Sequence, residues 1–235
     1  MTTESHKRNV VLVGCHGAGK TSFVEAALFN CKILHNIHVP KHGEPVFLDK
    51  DPEEQKRQMS IQSQVYTMEW KKNQITFIDT PGYNNFLVDT QNSILAADGA
   101  VLVVNPVRET REPSFRYWEM IDKAELPRLI FVNRMDKEKA NFDETIMDLQ
   151  QDLDINPVCV EIPIGAEDTF SGVVNLIKMK ASVSKDGSDK TQETDIPAEL
   201  QKAAQDMRVR YCRTGQSRSG AQGLSRFSAP VPPSP

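Results

Sequence analysis

Residues 14–21 read Gly14-Cys15-His16-Gly17-Ala18-Gly19-Lys20-Thr21, the G-x-x-x-x-G-K-T spacing of a phosphate-binding loop. Glycines allow consecutive backbone N–H groups to turn inward around phosphate oxygens. Lys20 brings a point charge to the β and γ oxygens, the Thr21 hydroxyl is placed to ligate Mg²⁺, and Ser22 continues the loop into a following helix. The chemistry is the handling of a nucleoside triphosphate. A glycine turn without a ligand is the bland alternative, and the apolar run Val10-Val11-Leu12-Val13 before the loop weighs against it.

Two further motifs narrow the nucleotide. Asp79-Thr80-Pro81-Gly82 follows the strand-like Ile75–Ile78; Asp79 would hold Mg²⁺ through a water and the Gly82 N–H would sense a γ-phosphate. By itself such a D-x-x-G is usually a turn. Asn133-Arg134-Met135-Asp136 follows the apolar Leu129–Val132. A carboxylate at Asp136 can accept from both guanine N1–H and the exocyclic N2–H, a bidentate fit that adenine cannot offer. Asn133 would tie this loop back to the phosphate loop, and Arg134 can lay its stem along the base. An Asx turn closing a strand is the alternative reading of the same four residues. Three motifs in this order, each at a strand end, favour GTP and GDP over adenine nucleotides.

Residues 51–61 read Asp51-Pro52-Glu53-Glu54-Gln55-Lys56-Arg57-Gln58-Met59-Ser60-Ile61. The Ser60 hydroxyl, just before a strand, can complete Mg²⁺ coordination and read the γ-phosphate, as a switch segment does. Without its neighbours the charged run would be a solvated face. The expected metal ligands are therefore Thr21, Ser60 and Asp79, with Lys20, Thr21 and Ser60 stabilising the charge of phosphoryl transfer.

The elements that must position these groups alternate strand and helix in the manner of a doubly wound sheet. The sequence predicts a strand at Val10–Val13 and a helix to about Phe29. A long polar stretch, residues 32–60, follows and reads as a switch loop. Ile61–Trp70 alternates and is joined by Lys71-Lys72-Asn73 to Ile75–Ile78, so short a link that the pair must be antiparallel. A helix from about Asn85 to Ala97, a buried strand Ala100–Val104, and a helix begun by Pro113 come next. In that last helix Phe115, Trp118, Met120 and Ile121 read as core. Leu129–Val132, a helix Ala140–Leu153 and a strand Val158–Ile164 continue the pattern; Ser182–Pro197 reads as a polar linker, and Ala198 to about Met207 as a short helix.

At 235 residues with 39% apolar content the chain can bury a substantial core. No apolar run approaches a membrane span, and the polar start Met1–Arg8 is not a signal segment, so a cytoplasmic location without a membrane partner is expected. Cys15, Cys31, Cys159 and Cys212 lack metal or disulfide spacing, and His35, His38 and His42 read as a solvated loop. Net charge is −4, yet residues 208–235 hold five arginines and no acidic residue. The remaining acidic body excludes a general nucleic-acid-binding surface.

These residues resemble the translational GTPases, most closely elongation factor G and its divergent branch. The resemblance covers about Arg8 to Met207. It rests on the phosphate loop, Asp51-Pro52-Glu53-Glu54 with Ser60-Ile61, Asp79–Gly82, Asn133–Asp136, and Pro163-Ile164-Gly165-Ala166-Glu167-Asp168 followed by Gly172–Ile177. It implies a P-loop G domain with a mostly parallel sheet and one antiparallel strand, over residues 1–181, including the start of a small inserted subdomain. Residues 182–207 would be that subdomain's linker and short helix. It also implies Mg²⁺-dependent GTP hydrolysis stimulated by the ribosome, in a chain that is monomeric and reads no specific nucleic-acid sequence. Four departures stand out. Gly17 and Tyr83 occupy places where the family keeps Asp and the His that orients the attacking water, so Tyr83 is the residue at the catalytic position. Gln58-Met59-Ser60 replaces Gly-Ile-Thr but keeps the hydroxyl, and Arg134 replaces Lys. The family's later guanine-contacting loop and closing strand and helix are not found, so the G domain reads as incomplete at its C-terminal end. Residues 208–235 read as a disordered, out-of-frame tail on a truncated gene, with a basic interaction tail as the alternative. A binding module or remnant without turnover is the competing function.

Overall fold

Val11, Leu12 and Val13 are fully buried in the central strand of a five-stranded sheet, which is why their run is continuously apolar rather than alternating. The computed structural model describes residues 7–35, 48, 51–57, 59–111, 114–184 and 191–217. They fall into two compact units, Met1–Arg134 and Met135–Pro235.

The first unit contains β1 (Lys7–Val13), α1 (Lys20–Asn30), α2 (Pro52–Arg57), β2 (Gln64–Trp70), β3 (Asn73–Asp79), α3 (Leu87–Leu95), β4 (Gly99–Val104), α4 (Arg108–Arg111), α5 (Ser114–Lys123) and β5 (Arg128–Val132). Its sheet order is β2-β3-β1-β4-β5. β1 runs parallel to β3 and β4, β4 runs parallel to β5, and β2 alone is antiparallel to its neighbour. The chain leaves β1 with consecutive connections going to opposite sides, so the carboxyl ends of the strands open a crevice at β1, the place where sheets of this kind take their ligands. The β2–β3 turn is made by Lys71 and Lys72 at φ 48° and 66°. Positive φ at both central residues is the backbone of the primed turns that match strand twist.

α1 packs on β3, α3 on β1 and α5 on β4. Leu12, Val24, Leu28, Met68, Ile75, Phe77, Val101 and Val103 form one buried cluster, and Phe23 stands edge-on to both Phe77 and Phe131. In β2 it is Met68, with the partly buried Tyr66 and Trp70, that joins this cluster, while Val65, Thr67 and Glu69 are exposed. The buried stripe of α5 is Ser114, Tyr117 and Ile121; Phe115, Trp118 and Met120 are half-buried, and Trp118 carries the Arg128 guanidinium 4.1 Å from its ring centroid. The helix expected over Asn85–Ala97 opens as a 3₁₀ turn, Asn84–Phe86, before α3. Pro113, His38, His42 and most of the expected switch loop lie outside the described residues.

The second unit contains α6 (Phe142–Leu153), β6 (Glu161–Ile164), β7 (Gly172–Asn175), β8 (Lys180–Ser184), β9 (Thr191–Thr194) and α7 (Ala198–Ser217). The Asn141 side chain caps α6 by accepting from Glu144 N at 3.2 Å, with Asp143 and Glu144 in the first turn. Three expectations are corrected here. The strand read at Val158–Ile164 starts at Glu161 and belongs to a separate antiparallel sheet, β6-β7-β8-β9, rather than to the parallel one. The stretch Ser182–Pro197, read as linker, contributes β8 and β9. All four residues of β9 are exposed, so no buried face imposes the alternation that marks a strand. The helix expected to stop near Met207 continues to Ser217, because the arginines and glutamine that make the segment polar are also good helix formers. Ile162, Val174, Leu176, Ala181 and Ala204 form this unit's core. Residues 218–235 lie outside the described part of the chain.

Candidate functional site

The loop after β1 is closed by its own lysine. Lys20 is 6% exposed, and its Nζ donates to Gly14 O at 3.0 Å and Cys15 O at 3.1 Å. Burial pushes its ammonium below the usual lysine range, against the opposing pull of the nearby Asp79 carboxylate and Cys15. The β and γ oxygens of a nucleotide would add counter-charge to this buried, carbonyl-held cation. α1 starts at Lys20 with no capping side chain and no acidic residue in its first turn, leaving its N–H groups to an anion. Gly19 precedes it at φ +94°, where a side chain would be strained, and an added Cβ would displace the Asn133 amide. Thr21 and Ser22 are half-buried in the helix's first turn, Ala18 is fully buried, and His16 and Gly17 are exposed at the loop's tip.

The Asp79 motif meets this loop directly. Asp79 is 3% exposed and its Oδ2 accepts from the Thr21 hydroxyl at 2.6 Å. Two hard oxygen donors in contact at the mouth of a phosphate loop fit Mg²⁺, which takes one or two protein oxygens and otherwise waters and phosphates. Thr80 is anchored by donating to Leu12 O at 2.7 Å, and Thr90 of α3 donates to Pro81 O at 3.4 Å. Gly82 lies on the loop itself: a Cβ there would come within 2.5 Å of His16 N. Tyr83, 37% exposed, then places its ring 4.3 Å from that of His16, tilted by 32°.

Ser60 is half-buried in the segment after α2. What shapes that segment is Glu54, 2% exposed, whose Oε1 accepts from Ile61 N at 2.8 Å and Gln62 N at 3.4 Å and whose Oε2 accepts from Gln64 Nε2 at 3.0 Å. The adjacent Glu53 is only half-buried, and two consecutive glutamates in a sequence do not say which one turns inward. Sequence reading also missed Asp89. Its Oδ2 accepts from Ser63 N at 2.7 Å and Ser63 Oγ at 2.6 Å, and Ser93 donates to Ser63 Oγ at 2.9 Å and to Asp89 O at 2.9 Å. The stretch after Ser60 is thereby joined to the helix after Gly82. An Asp in the first turn of a helix is the available signal, and it reads equally well as a dipole partner.

On the base side, Asn133 Nδ2 donates to Ala18 O at 2.9 Å, and its backbone N continues the sheet by donating to Val104 O. Arg134 follows in the left-handed region, φ 59°, and is exposed. Asp136 belongs to the second unit, half-buried, its carboxylate 3.0 Å from Lys137 Nζ.

Comparison with known proteins agrees with this arrangement. In fold the chain resembles ttk003000868 from Thermus thermophilus, whose crystal structure matches with a TM-score of 0.77 over 86% of this chain at 24% identity. The chain spans 30% of the length of that protein. The sequence profile for the elongation factor Tu GTP binding domain matches residues 5–219, a span that takes in every described element from β1 to the end of α7. The chain belongs to the elongation factor Tu GTP binding domain family.

Proposed function

We propose that this chain binds GTP and GDP with Mg²⁺ and hydrolyses GTP in the manner of elongation factor G. The observation that carries the reading is the 2.6 Å contact between Thr21 Oγ1 and Asp79 Oδ2, with Lys20 buried beneath the loop. In this reading Gly14–Ser22 cradle the phosphates, Lys20 neutralises the β and γ oxygens, and Thr21, Ser60 and Asp79 hold Mg²⁺ directly or through water. Gly82 senses the γ-phosphate. Asn133 braces the loop, Arg134 covers the base and Asp136 reads the guanine edge. The metal supplies positive charge to phosphate oxygens; the protein supplies position. A ribosome is the proposed partner and the cytoplasm the proposed place of action, both by family resemblance.

Calorimetric titration with GTP, GDP and ATP, with and without Mg²⁺, tests the binding. Tight GTP and GDP binding that weakens without Mg²⁺, and no ATP binding, is the expected result; comparable ATP affinity overturns the guanine assignment. One observation favours a second reading, a binding module without turnover: Tyr83 stands where the family keeps a histidine. Single-turnover hydrolysis of bound GTP, measured with and without ribosomes, separates the two.

A further inference from the structure

We propose that His16 is a catalytic residue of this site: its imidazole, braced by the ring of Tyr83, accepts a hydrogen bond from the water that attacks the γ-phosphorus of GTP. This inference rests on the hydrolytic reading above. It begins with the close approach of two backbones. Gly82 has no side chain because Cys15 and His16 occupy the space where one would go, with His16 N 2.5 Å and Cys15 C 2.7 Å from an added Cβ. His16, at this contact, and Tyr83, directly after Gly82, are therefore neighbours, and both carry aromatic rings. The two rings stand 4.3 Å apart between centroids and 32° apart in tilt, close enough for each to fix the other's position. Tyr83 continues the segment proposed to sense the γ-phosphate, and His16 belongs to the loop proposed to hold that phosphate, so the pair of rings flanks the outer end of the nucleotide.

Of the two rings, the imidazole has the better chemistry for the task. A neutral imidazole offers one ring nitrogen as an acceptor, whereas a phenol at neutral pH chiefly donates. Partial burial holds His16 below the usual histidine range, and the charges of Lys20 from α1 and Arg134 from the loop after β5 push it the same way. The ring is nonetheless exposed enough to meet a water. In the reaction the water oxygen forms its bond to the γ-phosphorus as the bond to the β,γ-bridging oxygen breaks. GDP leaves with that electron pair, and the water's protons end on the released phosphate. His16 orients the water and ends the cycle neutral. Tyr83 does not move a proton; it is a positioning residue that fixes the plane of the imidazole.

The test uses the whole 235-residue chain loaded with GTP, and follows phosphate release in a single turnover beside the Kd for GDP. General acid–base groups contribute about a hundredfold, and His16→Ala is expected to lose that much in the rate of the loaded chain, beyond any change in GDP affinity. His16→Gln, which keeps an acceptor oxygen, recovers part of the rate. Tyr83→Leu slows release, and Tyr83→Phe slows it less because the ring contact survives. A readout free of turnover accompanies these: the His16 ring proton resonance, assigned by its loss in His16→Gln, shifts with a non-hydrolysable GTP analogue and not with GDP. Release from His16→Ala at or above the parent rate overturns the proposal, as does a His16 resonance that responds alike to both nucleotides. A chain that binds GTP without hydrolysing it overturns this inference and leaves guanine-nucleotide binding standing; a chain that binds no nucleotide overturns both.

Discussion

The two sheets of this chain are built on opposite terms. In the five-stranded sheet the inner halves of β1 and β4 are buried on both faces, and β1, β3 and β5 each hand the chain to a polar segment at their carboxyl ends: the phosphate loop, Asp79–Gly82 and Asn133. The four-stranded sheet buries a small core of Ile162, Val174, Leu176 and Ala181, leaves β9 wholly exposed, and holds the carboxyl of Glu161 only half-buried, where Lys20 and Asp79 are buried. Chemistry collects where a rigid, dry scaffold can hold a charge out of water; a thin sheet with one solvated edge has no comparable place to put one.

That contrast can be broken by core truncation. Leu102→Ala in β4 and Leu176→Ala beside β7 each remove a fully buried leucine and should cost about 2–5 kcal/mol of stability in chemical denaturation. Leu102→Ala should also weaken GDP binding in calorimetry, since β4 lies against the β1 strand that carries the loop. If Leu176→Ala alone abolishes binding under folded conditions, the division of labour between the sheets is wrong. Next in size is Lys20→Ala. It should lower GDP affinity by about a hundredfold, the scale of a lost charge-assisted hydrogen bond. It should leave the nucleotide-free Tm unchanged or raised, because the buried ammonium is a cost in the empty loop.

A smaller effect belongs to Glu161 in β6. Burial holds its carboxyl above the usual range, partly offset by the bond from Asn175 Nδ2 at 2.9 Å and by Lys178. The folded chain thus binds this proton more tightly than the unfolded one, and stability is lost as pH climbs from the ordinary glutamate range through the raised one. Glu161→Gln should raise Tm by about a degree or two at neutral pH and converge with the parent in acid, in thermal melts across pH. The smallest expected effect is Lys180→Ala. The pair with Asp195 is short, 2.7 Å, but both groups are solvated, and melts should show no measurable shift.

Legibility in the sequence follows the same divide. The phosphate-loop, Asp79 and Asn133 motifs stand out in the sequence because their spacing combines backbone and side-chain demands: Gly19 adopts a positive φ that side chains disfavour, and Asn133 donates to Ala18 O. The buried strands β1 and β4 were legible as apolar runs, whereas the equally apolar Leu129–Val132 of β5, read as buried, is only half-buried with Leu129 exposed. β9 was not, because a strand without a buried face has no pattern to display. The far end of α7 was hidden by composition, since arginine serves a solvated tail and a solvated helix equally well. Glu54, Asp89 and the His16–Tyr83 ring contact escaped for a different reason: each acts across a gap in sequence that only the fold closes.

The fastening at Asp89 has a mechanical corollary. One carboxylate oxygen receives both the N–H and the hydroxyl of Ser63, and Ser93 adds a bond to that same hydroxyl, so the entry to β2 and α3 meet at a single serine. A joint of this kind has no slack. Drawing α3 away by about an ångström stretches both bonds beyond useful length together, and the segment lets go in one event. A spectroscopic reporter placed on either side of that joint would record a step where a looser linkage would give a slope.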